Sequence, residues 1–150
     1  VPMRLRRKPW IDEAIHDYEA QVVLDNHAEH KGAWRQLFPN PDRPLHMELG
    51  TGKGRFIAGM AECYPDVNFV GFEVQLGVLY YAAQKLYEQN LTNAKVSLFD
   101  IAGIEEVVAE GEVDDLGLGE GEAAAHEAVA GGEVVEVAGV HGLSPVVWAL

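Results

Sequence analysis

The feature that most constrains this chain is Glu48-Leu49-Gly50-Thr51-Gly52-Lys53-Gly54, which falls where a strand pattern stops and a helix pattern begins. Leu45-His46-Met47-Glu48-Leu49 is short and rich in apolar residues, as a strand requires. From Gly54 to Tyr64, the residues Phe56, Ile57, Met60 and Ala61 recur at helical spacing, and Pro65 follows as a stop. The pattern then repeats. Asn68 to Glu73 reads as a second strand. Gln75 to Gln89 reads as a helix with Leu76, Leu79, Tyr80, Ala83, Leu86 and Tyr87 on one stripe, and Ala94 to Phe99 as a third strand ending at Asp100. Strand, helix, strand, helix, strand with short connections dictates an α/β fold with a parallel sheet and right-handed crossovers. A short third helix fits between Gly103 and Gly111. So short a sheet is expected to leave apolar edges exposed near Val96 and Leu98.

Composition bounds the rest. A length of 150 residues suits one domain, and 48% apolar residues suffice for a core. The lone Cys63 excludes an internal disulfide and an all-cysteine metal site. No run of 18 apolar residues marks a transmembrane helix. The basic start has no apolar stretch behind it, so it does not read as a secretory signal, and a reducing, cytoplasmic setting is expected.

The net charge of −13 argues against nucleic acid until the charges are located. All eleven Lys and Arg fall within residues 1–95, beside twelve acids, whereas residues 96–150 hold twelve acids and no base. Three segments follow: a basic arm and N-terminal extension over 1–43 with one or two short helices, a cofactor-binding half-domain over 44–114, and an atypical acidic segment rich in Gly, Ala, Val and Glu over 115–150. Strands can be drawn at Gly132–Val140 and from Val146 to Leu150. Gly, Ala, Val, Asp and Glu are the residues whose codons begin with G, so two readings of the last segment stand together: a low-complexity acidic tail, or a shifted reading frame through a GC-rich gene.

The glycine loop carries the chemistry. Glycines serve where backbone must turn sharply and approach a ligand, and a helix N-terminus behind them aims N–H groups at it. The spacing Gly-x-Gly-x-Gly misses the dinucleotide fingerprint by one residue, and Met47 and Gly54 break the phosphate-loop pattern. An acid two residues before the first glycine suits S-adenosylmethionine better, because that ligand carries a cationic ammonium and a sulfonium and no phosphate. Glu73 and Asp100 end the next two strands, and open α/β sheets bind ligands outside the carboxyl ends of strands. Glu48, Glu73 and Asp100 would then line one crevice, with Gly50 and Gly52 making room. The second acid would accept from ribose hydroxyls and the third from the adenine amino group.

The residues from about Met3 to Asp114 resemble the bacterial tRNA (guanine-N7)-methyltransferases. The resemblance rests on Met3-Arg4-Leu5-Arg6-Arg7-Lys8-Pro9-Trp10, Trp34-Arg35-Gln36-Leu37-Phe38, His46-Met47-Glu48-Leu49-Gly50-Thr51-Gly52-Lys53-Gly54-Arg55-Phe56 and Gly71-Phe72-Glu73-Val74-Gln75. It implies a Rossmann-like S-adenosylmethionine-dependent methyltransferase fold, incomplete at the C-terminus, that methylates a guanine of the tRNA variable loop (position 46 in the family). It implies cofactor roles for Glu48, Glu73 and Asp100. The family's later motif, close to Asn-Phe-Ser-Asp-Pro-Trp-Pro-Lys, is not found here. Residues 119–126 read Gly-Glu-Gly-Glu-Ala-Ala-Ala-His, so no catalytic residue is carried over.

Other residues have more than one reading. Arg4, Arg6, Arg7 and Lys8, with Trp10, suit contact with tRNA phosphate and stacking on a base. His27 and His30 are read as surface histidines rather than metal ligands, Cys63 as packing, and Tyr80 with Tyr81 as core. No metal and no membrane partner is expected, and oligomeric state is open. Besides the RNA methyltransferase, a non-catalytic S-adenosylmethionine-binding or RNA-binding module remains, and an NAD-type half-domain trails both.

Overall fold

A computed structural model of the chain describes residues 8–118 and 145–146. Helix α1 (Ile11–Ala14) runs into a 3-10 turn over Ile15–Tyr18, and a two-residue strand β1 (Val22–Val23) follows. Two further 3-10 turns cover His27–His30 and Trp34–Leu37. The alternating region then gives β2 (Leu45–Leu49), α2 (Arg55–Cys63), β3 (Asn68–Glu73), α3 (Leu76–Glu88) and β4 (Ala94–Leu98). A 3-10 segment over Ile101–Glu106 leads to β5 (Asp115–Leu118), and β6 (Pro145–Val146) completes the sheet.

The sheet order is β1-β4-β3-β2-β5-β6, and every pairing is parallel. Parallel neighbours need a crossover between them, and α2 and α3 supply two. The chain winds outward from β2 through β3 to β4, then returns to the other side of β2 with β5. The winding therefore reverses direction at β2, the strand that leads into the glycine loop.

Alternate residues send their side chains to opposite faces of a strand. On one face Leu45, Met47, Leu49, Val70 and Phe72 pack with Val23, Trp34, Phe38, Ile104 and Val107. On the other, Phe69, Ala94 and Val96 meet Ile57, Ala58, Ala61, Leu79, Ala83 and Leu86 of the two helices and Ile11 and Ile15 of the extension. The N-terminal extension is thus part of the core on both faces, with Trp34 fully buried.

Three expectations are corrected here. The edge near Val96 and Leu98 is not left open: β1 pairs with it, Val22 against Val96 and Val23 against Ser97, and Val96 is fully buried. Two valines are too short a run to announce a strand. Tyr87, placed on the apolar stripe of α3, is 57% exposed and lies against Tyr18 at 5.3 Å between ring centres. The third helix is a 3-10 segment starting at Ile101, because the Asp100 carboxylate accepts from the Ala102 N–H and sets its first turn. The sheet continues through Asp115–Leu118, past the point where composition changes, and Pro145–Val146 adds a strand beside it. The strand drawn at Gly132–Val140 lies outside the described residues.

Two carboxylates clamp the extension onto the sheet. Glu112 is buried and accepts from the N–H groups of Gly32, Trp34 and Ala109 at 2.9 Å each. Asp114 accepts from the Leu45 N–H at 2.7 Å and from the Arg35 guanidinium. Partial burial alone would push the Asp114 carboxyl up, but the Leu45 N–H and Arg35 outweigh it and hold it below the usual carboxylate range. His27 and His46 are held below their ordinary value by burial.

The signs of these shifts run the same way. A histidine held low binds a proton more readily when unfolded, so stability falls as pH drops below about 6.5. Asp114 contributes stability present above about pH 4 that is lost as pH falls through its lower folded value. Denaturant melts at successive pH values should therefore weaken in two stages on acidification, and Arg35→Gln should blunt only the lower stage.

Candidate functional site

Glu48, Glu73 and Asp100 come from three adjacent strands, and the register sets them at one end of the sheet. Glu48 sits opposite Gly71, and Glu73, two residues further along β3, sits opposite Leu98 of β4, two residues before Asp100. Glu48 and Glu73 share parity with Gly71, so they occupy the face that carries α2 and α3. Glu48 is 1% exposed and Glu73 2%, whereas Asp100 is exposed. The three acids lie toward the carboxyl end of β2, where the winding reverses, which is where such sheets bind ligands.

The glycine loop closes over this end with its polar backbone already engaged. Gly50 and Thr51 both donate N–H to the Phe72 carbonyl, at 2.9 and 2.8 Å. Gly52 donates to one oxygen of Glu73 at 3.1 Å, and Gln75 donates to the other at 3.0 Å. Gly54 donates to the Thr51 carbonyl at 3.2 Å. Gly50, Gly52 and Gly54 have φ of 75°, 59° and 81°, the left-handed region that side chains avoid.

Two glycines are required by contact as well. A methyl group on Gly54 would lie 2.8 Å from the Ala82 Cα, so the loop and α3 meet backbone to backbone. A methyl group on Gly71 would lie 2.5 Å from the Thr51 hydroxyl oxygen, so β3 leaves a notch into which the loop drops. Thr51 is 3% exposed and its hydroxyl has no partner among the described residues. Neither Thr51 nor Gly71 stood out in the sequence. A Gly in mid-strand was the available signal, since it often marks close backbone approach.

This donor set fits one kind of ligand better than others. A phosphate cradle needs free N–H groups, but four loop N–H groups are committed internally, and Glu73 faces the loop. Pyrophosphate would meet carboxylate there. A ligand that presents a cation and hydroxyls fits: Glu73 brings a carboxylate held by two backbone N–H groups, and Asp100 uses one oxygen on Ala102.

The remaining candidates separate. Arg4, Arg6 and Arg7 lie outside the described residues, whereas Lys8 is exposed and donates to the Tyr81 hydroxyl at 2.7 Å. His27 is buried rather than on the surface, 5.0 Å between ring centres from Phe99, because the extension folds over the end of β4. Cys63 is exposed, not packed, since it sits in the last turn of α2 off its buried stripe. Tyr80 is buried as expected. Among the described residues, no group of three or more His, Cys, Asp or Glu could hold a metal, and no helix is long and apolar enough to cross a membrane.

The fold and family have known counterparts. The solved structure of an antibiotic-related methyltransferase matches with a TM-score of 0.51 at 22% identity, over 59% of this chain and 45% of that one. That likeness is one of fold, a Rossmann-like α/β domain. A family model described as "Putative methyltransferase" matches residues 42–119, and the chain belongs to that methyltransferase family. The tRNA (guanine-N(7)-)-methyltransferase of Geobacillus sp. (strain WCH70) is 44% identical over 116 residues, 77% of this chain and 52% of the relative. Its namesake from Bacillus subtilis (strain 168) is 40% identical over 111 residues, 74% of this chain and 51% of the relative. The chain spans about half the length of the curated relatives it matches.

The two contact distances give a paired test. Gly54→Ala forces a side chain into a left-handed, crowded position and should cost more than about 2 kcal/mol. Gly77→Ala, inside α3 with nothing within 4 Å, should stabilise by about 0.5–1 kcal/mol. Urea melts of both variants against the parent check the contrast.

Proposed function

We propose that this chain is the cofactor-binding portion of a tRNA (guanine-N7)-methyltransferase, with S-adenosylmethionine as methyl donor and a guanine of the tRNA variable loop as acceptor. The observation that carries the cofactor reading is the commitment of four loop N–H groups, those of Gly50, Thr51, Gly52 and Gly54, to Phe72, Glu73 and Thr51, which takes them away from a phosphate. The names of the relatives support the substrate.

Each residue has a task that follows from its place. Glu48, buried beneath the loop, attracts the cationic methionine end. Glu73, pinned by Gly52 and Gln75, presents fixed acceptors to ribose hydroxyls. Asp100, at the end of the third strand from the loop, accepts from the adenine amino group. Gly50 and Gly52 keep side chains out of the ligand's path. When bound, S-adenosylmethionine supplies the electrophilic methyl group. Guanine N7 carries its own lone pair, so no residue is needed to remove a proton, and catalysis reduces to holding the base in line. Arg4, Arg6, Arg7 and Lys8 act on tRNA phosphate. The exposed free thiol of Cys63 suits a reducing compartment, and we place the protein in the cytoplasm, with tRNA.

Calorimetry should show S-adenosylhomocysteine binding with no response to NAD. Glu73→Ala should weaken it by about 1–3 kcal/mol through lost hydrogen bonds. NAD binding without S-adenosylhomocysteine binding would overturn the cofactor assignment.

Transfer requires the guanine to be held as well, and such holding can supply roughly 7–11 kcal/mol of the barrier. The residues carried over from the family cover only the methyl donor. In a tritiated-methyl assay on unmodified tRNA, the chain should therefore give little N7-methylguanine. Replacing residues 115–150 with the corresponding segment of a full-length relative should raise turnover strongly. Comparable product from both would show that the segment is dispensable. No product from either would favour a non-catalytic binding module.

A further inference from the structure

The structure gathers three lysines from three separate segments around one tyrosine. Tyr81, on α3, is half-buried beside the buried Tyr80. Lys8 reaches it from the N-terminal arm, donating to its hydroxyl at 2.7 Å. Its ammonium lies 5.2 Å from the ring centre, beyond the hydroxyl rather than above the ring. Lys53 reaches it from the glycine loop, with its ammonium 5.6 Å from the ring centre, within cation–π range. Lys85, one turn along α3, donates to the Lys53 carbonyl at 2.9 Å. Each cation is thus anchored at one point.

What these lysines lack is a carboxylate. Among the described residues, no salt bridge engages Lys8, Lys53 or Lys85. Four other bases are otherwise employed. Lys31 and Lys95 donate to the backbone carbonyls of Glu105 and Ala20, Arg43 to that of Pro65, and Arg35 pairs with Asp114. In a chain of net charge −13, a cationic cluster with no carboxylate partner among the described residues attracts an external anion. It also lies against the crevice, because Lys53 belongs to the loop and Gly54 beside it touches Ala82, next to Tyr81.

We infer that Lys53, Lys85 and Lys8, arranged by Tyr81, bind the phosphodiester backbone of the RNA and seat it beside the cofactor loop. The inference rests on the RNA-substrate reading above and names the surface that receives the strand. Tyr81 is a positioning residue: it moors Lys8 and supports Lys53, and the ammonium groups left on the surface meet successive phosphates. Because Lys53 is carried by the cofactor loop, the strand is brought to the mouth of the crevice where its guanine must enter.

The test is tRNA affinity of the full chain, read by fluorescence anisotropy between 50 and 200 mM salt. Each phosphate contact adds about 0.7–0.9 to the slope of log affinity against log salt. Lys53→Gln/Lys85→Gln should flatten that slope by about 1.4–1.8 and weaken binding several-fold at any one salt concentration. Lys31→Gln, which removes the same kind of charge elsewhere, should change the slope much less. Tyr81→Phe should lose only the Lys8 mooring and fall between the parent and the double variant. Melting midpoints of the lysine variants should match the parent. An unchanged slope in the double variant, an equal loss in Lys31→Gln, or no tRNA binding by the parent would overturn the inference. Failure of the parent to bind S-adenosylhomocysteine would instead overturn the cofactor reading and leave the salt slopes to stand on their own.

Discussion

Gly54 leaves its loop so close to α3 that a methyl group there would lie 2.8 Å from the Ala82 backbone, and Gly71 opens a notch in β3 that the Thr51 side chain fills. These two contacts set the height of the loop over the strand ends. With the loop seated, Gly52 reaches Glu73, and Gly50 and Thr51 reach the Phe72 carbonyl. A loop lifted by one methyl group would lose those bonds together, and the crevice over Glu48 would lose its roof. The candidate site is therefore a consequence of backbone packing more than of any one polar residue.

The second constraint acts from the opposite side of the sheet. Glu112 gathers three N–H groups, two from the extension and one from its own turn, and Trp34 donates its indole N–H to the Val107 carbonyl at 2.7 Å. Buried donors left without acceptors are costly, so the extension is fixed in place and completes the core around Phe72. The same extension brings His27 against Phe99, next to Asp100, and caps the β4 edge with β1. A segment that looks like an appendage in the sequence thus packs beside the end of β4 and pairs with that strand at Val96 and Ser97.

Charge is divided in the same economical way. Glu48, Glu73 and Asp100 lie at strand ends and Glu112 and Asp114 form the clamps, while Lys31, Lys85, Lys95, Arg35 and Arg43 donate to backbone carbonyls. Lys8, Lys53 and Lys85 sit where the arm, the loop and α3 converge. The proposed methyl donor is cationic and the proposed acceptor polyanionic, and the loop carries a residue of each sign to answer them: Glu48 before its first glycine and Lys53 before its last.

The sequence by itself determined the alternating core. Periodicity placed β2, α2, β3, α3 and β4 within a residue or two, because a parallel sheet flanked by helices needs apolar runs of those lengths. It also placed Glu48, Glu73 and Asp100 at strand ends, since parallel strands all end on the same side. What only the tertiary structure decided were the contacts between segments distant in the chain. The burial of His27 depends on Phe99, the pairing of Val22 on Val96, the notch at Gly71 on Thr51, and the lysine cluster on Tyr81. The exposure of Cys63 and Tyr87 depends on how far each helix face extends beyond its neighbours. Local spacing records which way a side chain points, but not what the rest of the fold brings to meet it.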